Sequence, residues 1–139
     1  MKKAMLLTVV LIGGLLSIHA RAQSQLPPLA NTNWKLYIPD INDTLTIHIK
    51  KDSSYATTGT GDVVVRSACK LSGDTIAFTD VDGQYACPNA TGKYKVSLSD
   101  DANTMTLTLI DDSCDGRANA LNKVKLLRGA PPAAAAPQK

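Results

Sequence analysis

GKYKVSLSDDANTMTLTLIDDSCDGR, from Gly92 to Arg117, holds two runs of strict alternation around one polar loop. Tyr94, Val96 and Leu98 alternate with Lys95 and Ser97, and Met105, Leu107 and Leu109 alternate with Thr104, Thr106 and Thr108. A period of two gives each strand one apolar face. If the loop Ser99 to Asn103 lets Leu98 face Met105, then Val96 falls opposite Leu107 and Tyr94 opposite Leu109. A one-residue slip breaks every one of those matches, so the register is strongly specified.

The same period extends in both directions. Trp34, Leu36 and Ile38 form a first strand that Pro39 stops, and Leu45, Ile47 and Ile49 form a second. A weaker third runs through Tyr55 and Thr57. Val63, Val65, Ser67, Cys69 and Leu71 share a face in a fourth, and Ile76 and Phe78 in a fifth. Ser72-Gly73 is a candidate hairpin loop between them, pairing Leu71 with Asp74, Cys69 with Ile76 and Ser67 with Phe78. Gln84 to Cys87 reads as a connector or a very short strand, and Val124 and Leu126 mark a last strand. About eight strands at a spacing of roughly 10 residues, with no amphipathic helix longer than a turn, predict an all-β fold. A small antiparallel up-and-down barrel is the preferred form, since closure removes exposed edges.

The ends of the chain bear on compartment. Residues 1–22 read as a secretory signal: Lys2-Lys3, an apolar run from Ala4 to Ile18, and Ala20-Arg21-Ala22 before Gln23. The run is too short, and too interrupted by Gly13-Gly14, for a membrane span of roughly 20 residues, and no Cys near the cleavage point could carry a lipid. Residues 23–30 read as an extended lead-in, 31–128 as one domain, and 129–139 as a disordered Pro/Ala tail. The expectation is a periplasmic or secreted protein without a membrane anchor. Losing Lys2, Lys3 and Arg21 with the signal lowers the basic count from 15 to 12, against 12 acids, so the formal charge falls from +3 to zero. A neutral surface argues against a nucleic-acid partner.

Every acid is Asp and there is no Glu. Asp favours turns, and the acids, including Asp100-Asp101 and Asp111-Asp112, read as solvated turn-formers rather than an acid/base pair. Asp111-x-Ser113-x-Asp115-Gly116 imitates the start of a calcium loop, but its twelfth position is Asn122 where a bidentate Glu belongs, so no metal is expected. His48 falls on the outer face of the second strand, and one His makes neither a triad nor a three-ligand zinc site. The chain therefore reads as non-catalytic, with no cofactor. Three cysteines remain after the signal, which allows three pairings and leaves one thiol over. Cys87 and Cys114 sit at the same end of the Tyr94–Leu109 hairpin and are the preferred pair. Cys69 is a candidate buried thiol, although a full hairpin at Asp82-Gly83 would bring it nearer the other two.

Trp34, Gly92-Lys93-Tyr94 following Cys87-Pro88, Leu107-Thr108-Leu109, Cys114-Asp115-Gly116-Arg117 and a closing strand ending in Arg128 together resemble the small bacterial lipocalin-like, or calycin-like, proteins. The resemblance spans Asn31 to Arg128. It implies a barrel whose base is closed by Trp34 beneath an arginine, Arg128 or Arg117. It also implies non-covalent binding of a small hydrophobic ligand, and among the inner-face residues Tyr55, Phe78, Tyr94 and Met105, for contact area, and Ser67, as a polar handle, are the expected lining. The other reading is a structural, interaction or inhibitor module of the bacterial envelope with a filled core. Its fold rival is the META-domain family, whose opening Asn31-Thr32-Asn33-Trp34-Lys35-Leu36 resembles.

Overall fold

A computed structural model of the protein describes residues 26–129; the signal segment and all of the tail beyond Gly129 lie outside them. Eight strands form a closed barrel in sequence order: β1 (Thr32–Ile38), β2 (Asp43–Ile49), β3 (Ser53–Thr57), β4 (Val63–Ser72), β5 (Thr75–Asp82), β6 (Thr91–Leu98), β7 (Thr104–Asp112) and β8 (Lys125–Arg128). Every neighbouring pair is antiparallel, and β8 closes on β1 through Trp34 opposite Arg128. The expected all-β up-and-down barrel is the observed fold.

The β6–β7 register follows from the alternation alone. Tyr94 faces Leu109, Val96 faces Leu107 and Leu98 faces Met105, so each apolar side chain meets an apolar partner on the inner face. The β4–β5 register differs from expectation: Leu71 pairs with Ile76, Cys69 with Phe78 and Ser67 with Asp80. The two-residue loop is Gly73-Asp74, and Gly73 adopts a left-handed φ of 59° that side-chain-bearing residues resist. This shift moves each partner by two residues, so every inward residue stays inward.

Three register irregularities lie toward one end of the barrel, between Ala56 and Thr57, Arg66 and Ser67, and Lys93 and Tyr94. Bulges sharpen twist and re-aim side chains, and this end becomes the open one. The opposite end is closed by Leu29, Trp34, Met105 and Leu126, each at most 2% exposed. The Trp34 indole N–H donates to Thr32 Oγ1 at 2.8 Å. The Arg128 guanidinium carbon lies 5.7 Å from the Trp34 ring centroid, within cation–π range, and Nη1 donates to the Ala102 carbonyl. Of the two candidate arginines, Arg128 therefore covers Trp34, and Arg117 lies at the other end.

One element departs from the strand-only expectation. Asp115–Leu121 forms a helix, α1, of seven residues. Arg117, Ala118, Ala120 and Leu121 are good helix formers. Arg117 and Leu121, four residues apart, share the face that turns to the barrel, where Leu121 joins the core. The Asp115-Gly116 pair, read from the sequence as a turn, is the start of this helix.

His48 lies outward on β2. Nδ1 is 2.9 Å from Asn33 Oδ1 and Nε2 is 3.1 Å from Thr57 Oγ1. The ring stacks on Tyr55 at 4.3 Å. A neutral imidazole donates to Asn33 and accepts from Thr57. Burial, then the Lys50 charge, holds its pKa below the ordinary 6.5. The unfolded chain therefore binds the proton more readily, so stability falls as pH drops below about 6.5 and levels off once the folded imidazole also protonates. Melting from about pH 7.5 to about pH 5.5 should show a declining midpoint in the wild type and a flatter one in His48→Gln. Parallel curves would assign the decline to other groups.

Candidate functional site

The interior is packed at the Trp34 end and hollow toward the bulged end. The reason lies in side-chain size: β3 and β4 turn Ser54, Ala56, Val65 and Ser67 inward, and these residues leave unfilled the space that larger side chains would occupy. The result is a cavity of about 530 Å³, within the range of roughly 300–1,000 Å³ occupied by ligand pockets. Leu36, Ile38, Leu45 and Ile47 form its apolar wall, and Phe78 its side across the barrel. Pro39–Ile41, Tyr85 and α1 surround the mouth.

One stretch of the wall is polar. Arg117 reaches from α1 between two buried carboxylates. Nη1 is 2.6 Å from Asp80 Oδ1 and Nε is 2.7 Å from Asp112 Oδ2, with the three side chains 10%, 2% and 0% exposed. Arg117 Nη2 also donates to Asp112 Oδ1 at 2.8 Å and to the Ala90 carbonyl at 3.2 Å. The Ser67 hydroxyl donates to Asp80 Oδ1 at 2.8 Å, and the Cys87 N–H to Oδ2 at 2.9 Å. Asp112 accepts in addition the Cys114 N–H at 2.8 Å and the Tyr94 hydroxyl. Burial works against the charge on Asp112, but the hydrogen bonds from Arg117, Tyr94 and Cys114 outweigh it and hold its pKa below the usual carboxylate range. The Arg117 pKa is pushed higher, foremost by its hydrogen bond to Asp112, and that of Tyr94 is raised by burial and then by Asp112. The cluster thus sets a cationic Arg117 and a charged Asp112 beside a neutral Tyr94 phenol, with the Asp80 carboxyl on the other side of the guanidinium.

Gly92 makes the arrangement fit. A β-carbon there would stand 3.0 Å from Arg117 Nε and collide with the Asp112 carboxylate, so the ion pair occupies the space a side chain would take. The Cys87–Cys114 disulfide forms as expected, with Cα atoms 6.0 Å apart. It joins the β5–β6 loop to the residue before α1, and both of its backbone N–H groups serve the buried carboxylates. Cys69 is the buried free thiol. Burial, with Asp52 adding to it, pushes its pKa from 9.0 up to about 11, so it stays a protonated, unreactive group.

The expected lining residues separate into three groups. Ser67 and Phe78 line the cavity. Tyr55 borders it, but its ring lies outward against His48, and the inward residues of β3 are its small neighbours Ser54 and Ala56. Tyr94 and Met105 are fully buried in the core and do not line the cavity. Tyr94 sits beside Phe78 with ring centroids 6.3 Å apart, and its hydroxyl supports Asp112. The reading of all acids as solvated turns is corrected at Asp80 and Asp112. Asp80 continues the inward alternation Ile76, Phe78, Asp80, a signal the sequence did carry. Asp112 turns inward because the irregularity beside Tyr94 leaves Ile110 unpaired and reverses the alternation beyond Leu109. Among the described residues no group of three or more His, Cys, Asp or Glu could hold a metal ion. In comparison with known proteins, the chain matches no family model, no curated protein and no solved structure, so any function must be argued from the barrel, its cavity and the buried ion cluster.

Proposed function

We propose that the protein is a secreted, non-catalytic lipocalin-like carrier that holds one small, predominantly apolar molecule in its barrel. The observation that supports this reading is the cavity of about 530 Å³, walled by aliphatic residues and Phe78 with one polar stretch at Ser67, Asp80 and Arg117. Concave apolar sites with a few placed polar groups are the usual form of small-molecule sites. The alternative, an interaction module of the envelope with a filled core, is disfavoured by the small side chains that β3 and β4 turn into the cavity. The signal-like residues 1–22 and the Cys87–Cys114 bond agree with an oxidising compartment.

A neutral apolar dye, N-phenylnaphthylamine, should bind the folded protein saturably with one site per chain. Ala56→Trp, which directs an indole into the cavity from β3, should weaken the dye by about tenfold or more while the far-ultraviolet spectrum stays that of a β protein. Non-saturable binding by the wild type would overturn the proposal.

A further inference from the structure

Buried polar side chains in this barrel are engaged with one another or with the backbone. Thr32 donates to the Leu29 carbonyl, Asn33 bonds to His48, Ser67 donates to Asp80, and Asp80 also accepts the Cys87 N–H. The Arg117 guanidinium is taken up by Asp80 and Asp112. Ser54 is the exception: it is 5% exposed, yet its hydroxyl has no hydrogen-bond partner among the described residues. Its oxygen keeps open surface, and that surface belongs to the cavity, which Ser54 lines. Ser54 is also the inward residue of β3 nearer the closed end, paired with buried Ile49 on one side and with Ser67 on the other, whereas Ala56 stands toward the mouth. Alanine would occupy that position without leaving a buried hydroxyl unmet, and an unmet polar group costs free energy.

From this we infer that Ser54 is the polar anchor of the cavity and that the guest enters oxygen first, with an uncharged hydroxyl or carbonyl at its inner end and an apolar body along the aliphatic wall. The inference rests on the carrier reading above. A serine hydroxyl donates one proton and also accepts, so either function completes it. The mouth admits water to the hydroxyl, and a guest that displaces the water without an oxygen of its own forfeits that bond. A charged inner end would exchange its hydration for one neutral hydroxyl, which cannot offset the cost of burying an ion. A carboxylate amphiphile therefore keeps its head in the water at the mouth and leaves Ser54 untouched.

The test is displacement of bound N-phenylnaphthylamine, at neutral pH, from the wild-type protein and from Ser54→Ala by decanol, 2-decanone, chlorodecane and decanoate. Decanol and 2-decanone should each bind the variant about fivefold more weakly, the loss of one hydrogen bond, while chlorodecane and decanoate change by less than about twofold. The melting midpoint of the variant should be no lower than that of the wild type, because the hydroxyl it loses holds nothing within the protein. A clear fall in the midpoint, or four ligands that weaken together, would assign Ser54 to the packing of the barrel and overturn the inference. So would decanol and 2-decanone binding both proteins equally, or decanoate weakening as much as decanol. Absence of dye binding to the wild type removes the carrier reading instead, so the two failures are distinguishable.

Discussion

Arg117→Met should lower the unfolding free energy by about 3–5 kcal/mol, the cost of removing one partner from a buried ion cluster. The loss is large because of what stays behind. Asp80 and Asp112 are 2% and 0% exposed, and without the guanidinium two carboxylates share a site that water scarcely reaches. Their pKa values in the folded variant must rise above those in the unfolded chain. The folded state then binds protons that the unfolded state does not, so the variant should regain stability as pH falls from neutrality toward the carboxylate range. Urea unfolding at two pH values measures both effects. Asp112→Asn placed in the Arg117→Met background should recover part of the loss, since it removes one of the two stranded charges. A loss below about 1 kcal/mol would class the cluster with exposed ion pairs, which contribute little.

Replacing Cys87 and Cys114 by alanine should cost about 3–4 kcal/mol on the chain-entropy account, given the separation of 27 residues. For a domain of this size that corresponds to a fall in melting temperature of roughly 15 °C or more. Cys69 cannot substitute as a partner. It stands on β4 opposite Phe78, beside the closed end, whereas the disulfide is at the mouth. The bond and the ion cluster are one physical unit, because the N–H groups of Cys87 and Cys114 each donate to one of the buried carboxylates. A cycle combining the cysteine replacements with Arg117→Met should therefore be non-additive, the joint loss being smaller than the two separate losses together. Strict additivity would show that the two act independently.

The barrel was legible because its inward residues recur with a period of two through most strands, and because β6 and β7 run in register from Leu98–Met105 to Tyr94–Leu109 before any irregularity intervenes. The β4–β5 register was not, since pairings two residues apart put the same side chains inside; only the turn separates them, and Gly73 sits in both candidate loops. The weak period-two run through Tyr55 and Thr57 points Tyr55 inward, whereas β3 turns its small residues Ser54 and Ala56 into the cavity and stacks Tyr55 on His48. The buried cluster was hidden for a different reason. Asp112 owes its orientation to one unpaired residue, Ile110, and Arg117 reaches it only because the chain after Cys114 coils into α1. A bulge and a two-turn helix leave almost no periodic trace. Gly92, which read as the opening of a strand, is in the structure the gap through which that ion pair passes.

The double fastening of α1 has a consequence for traffic through the mouth. Its leading end is bolted to the β5–β6 loop by sulfur, and its flank is bound by charge to β5 and β7, so lifting it would strand both acids at once. On the facing arc, the single 3-10 turn at Pro39–Ile41 is braced at its end by an exposed bond from the Tyr37 hydroxyl to Asn42. On the carrier reading proposed above, a guest molecule would come and go past that lighter latch, under Ile41, while the helix side serves as the fixed jamb of the doorway.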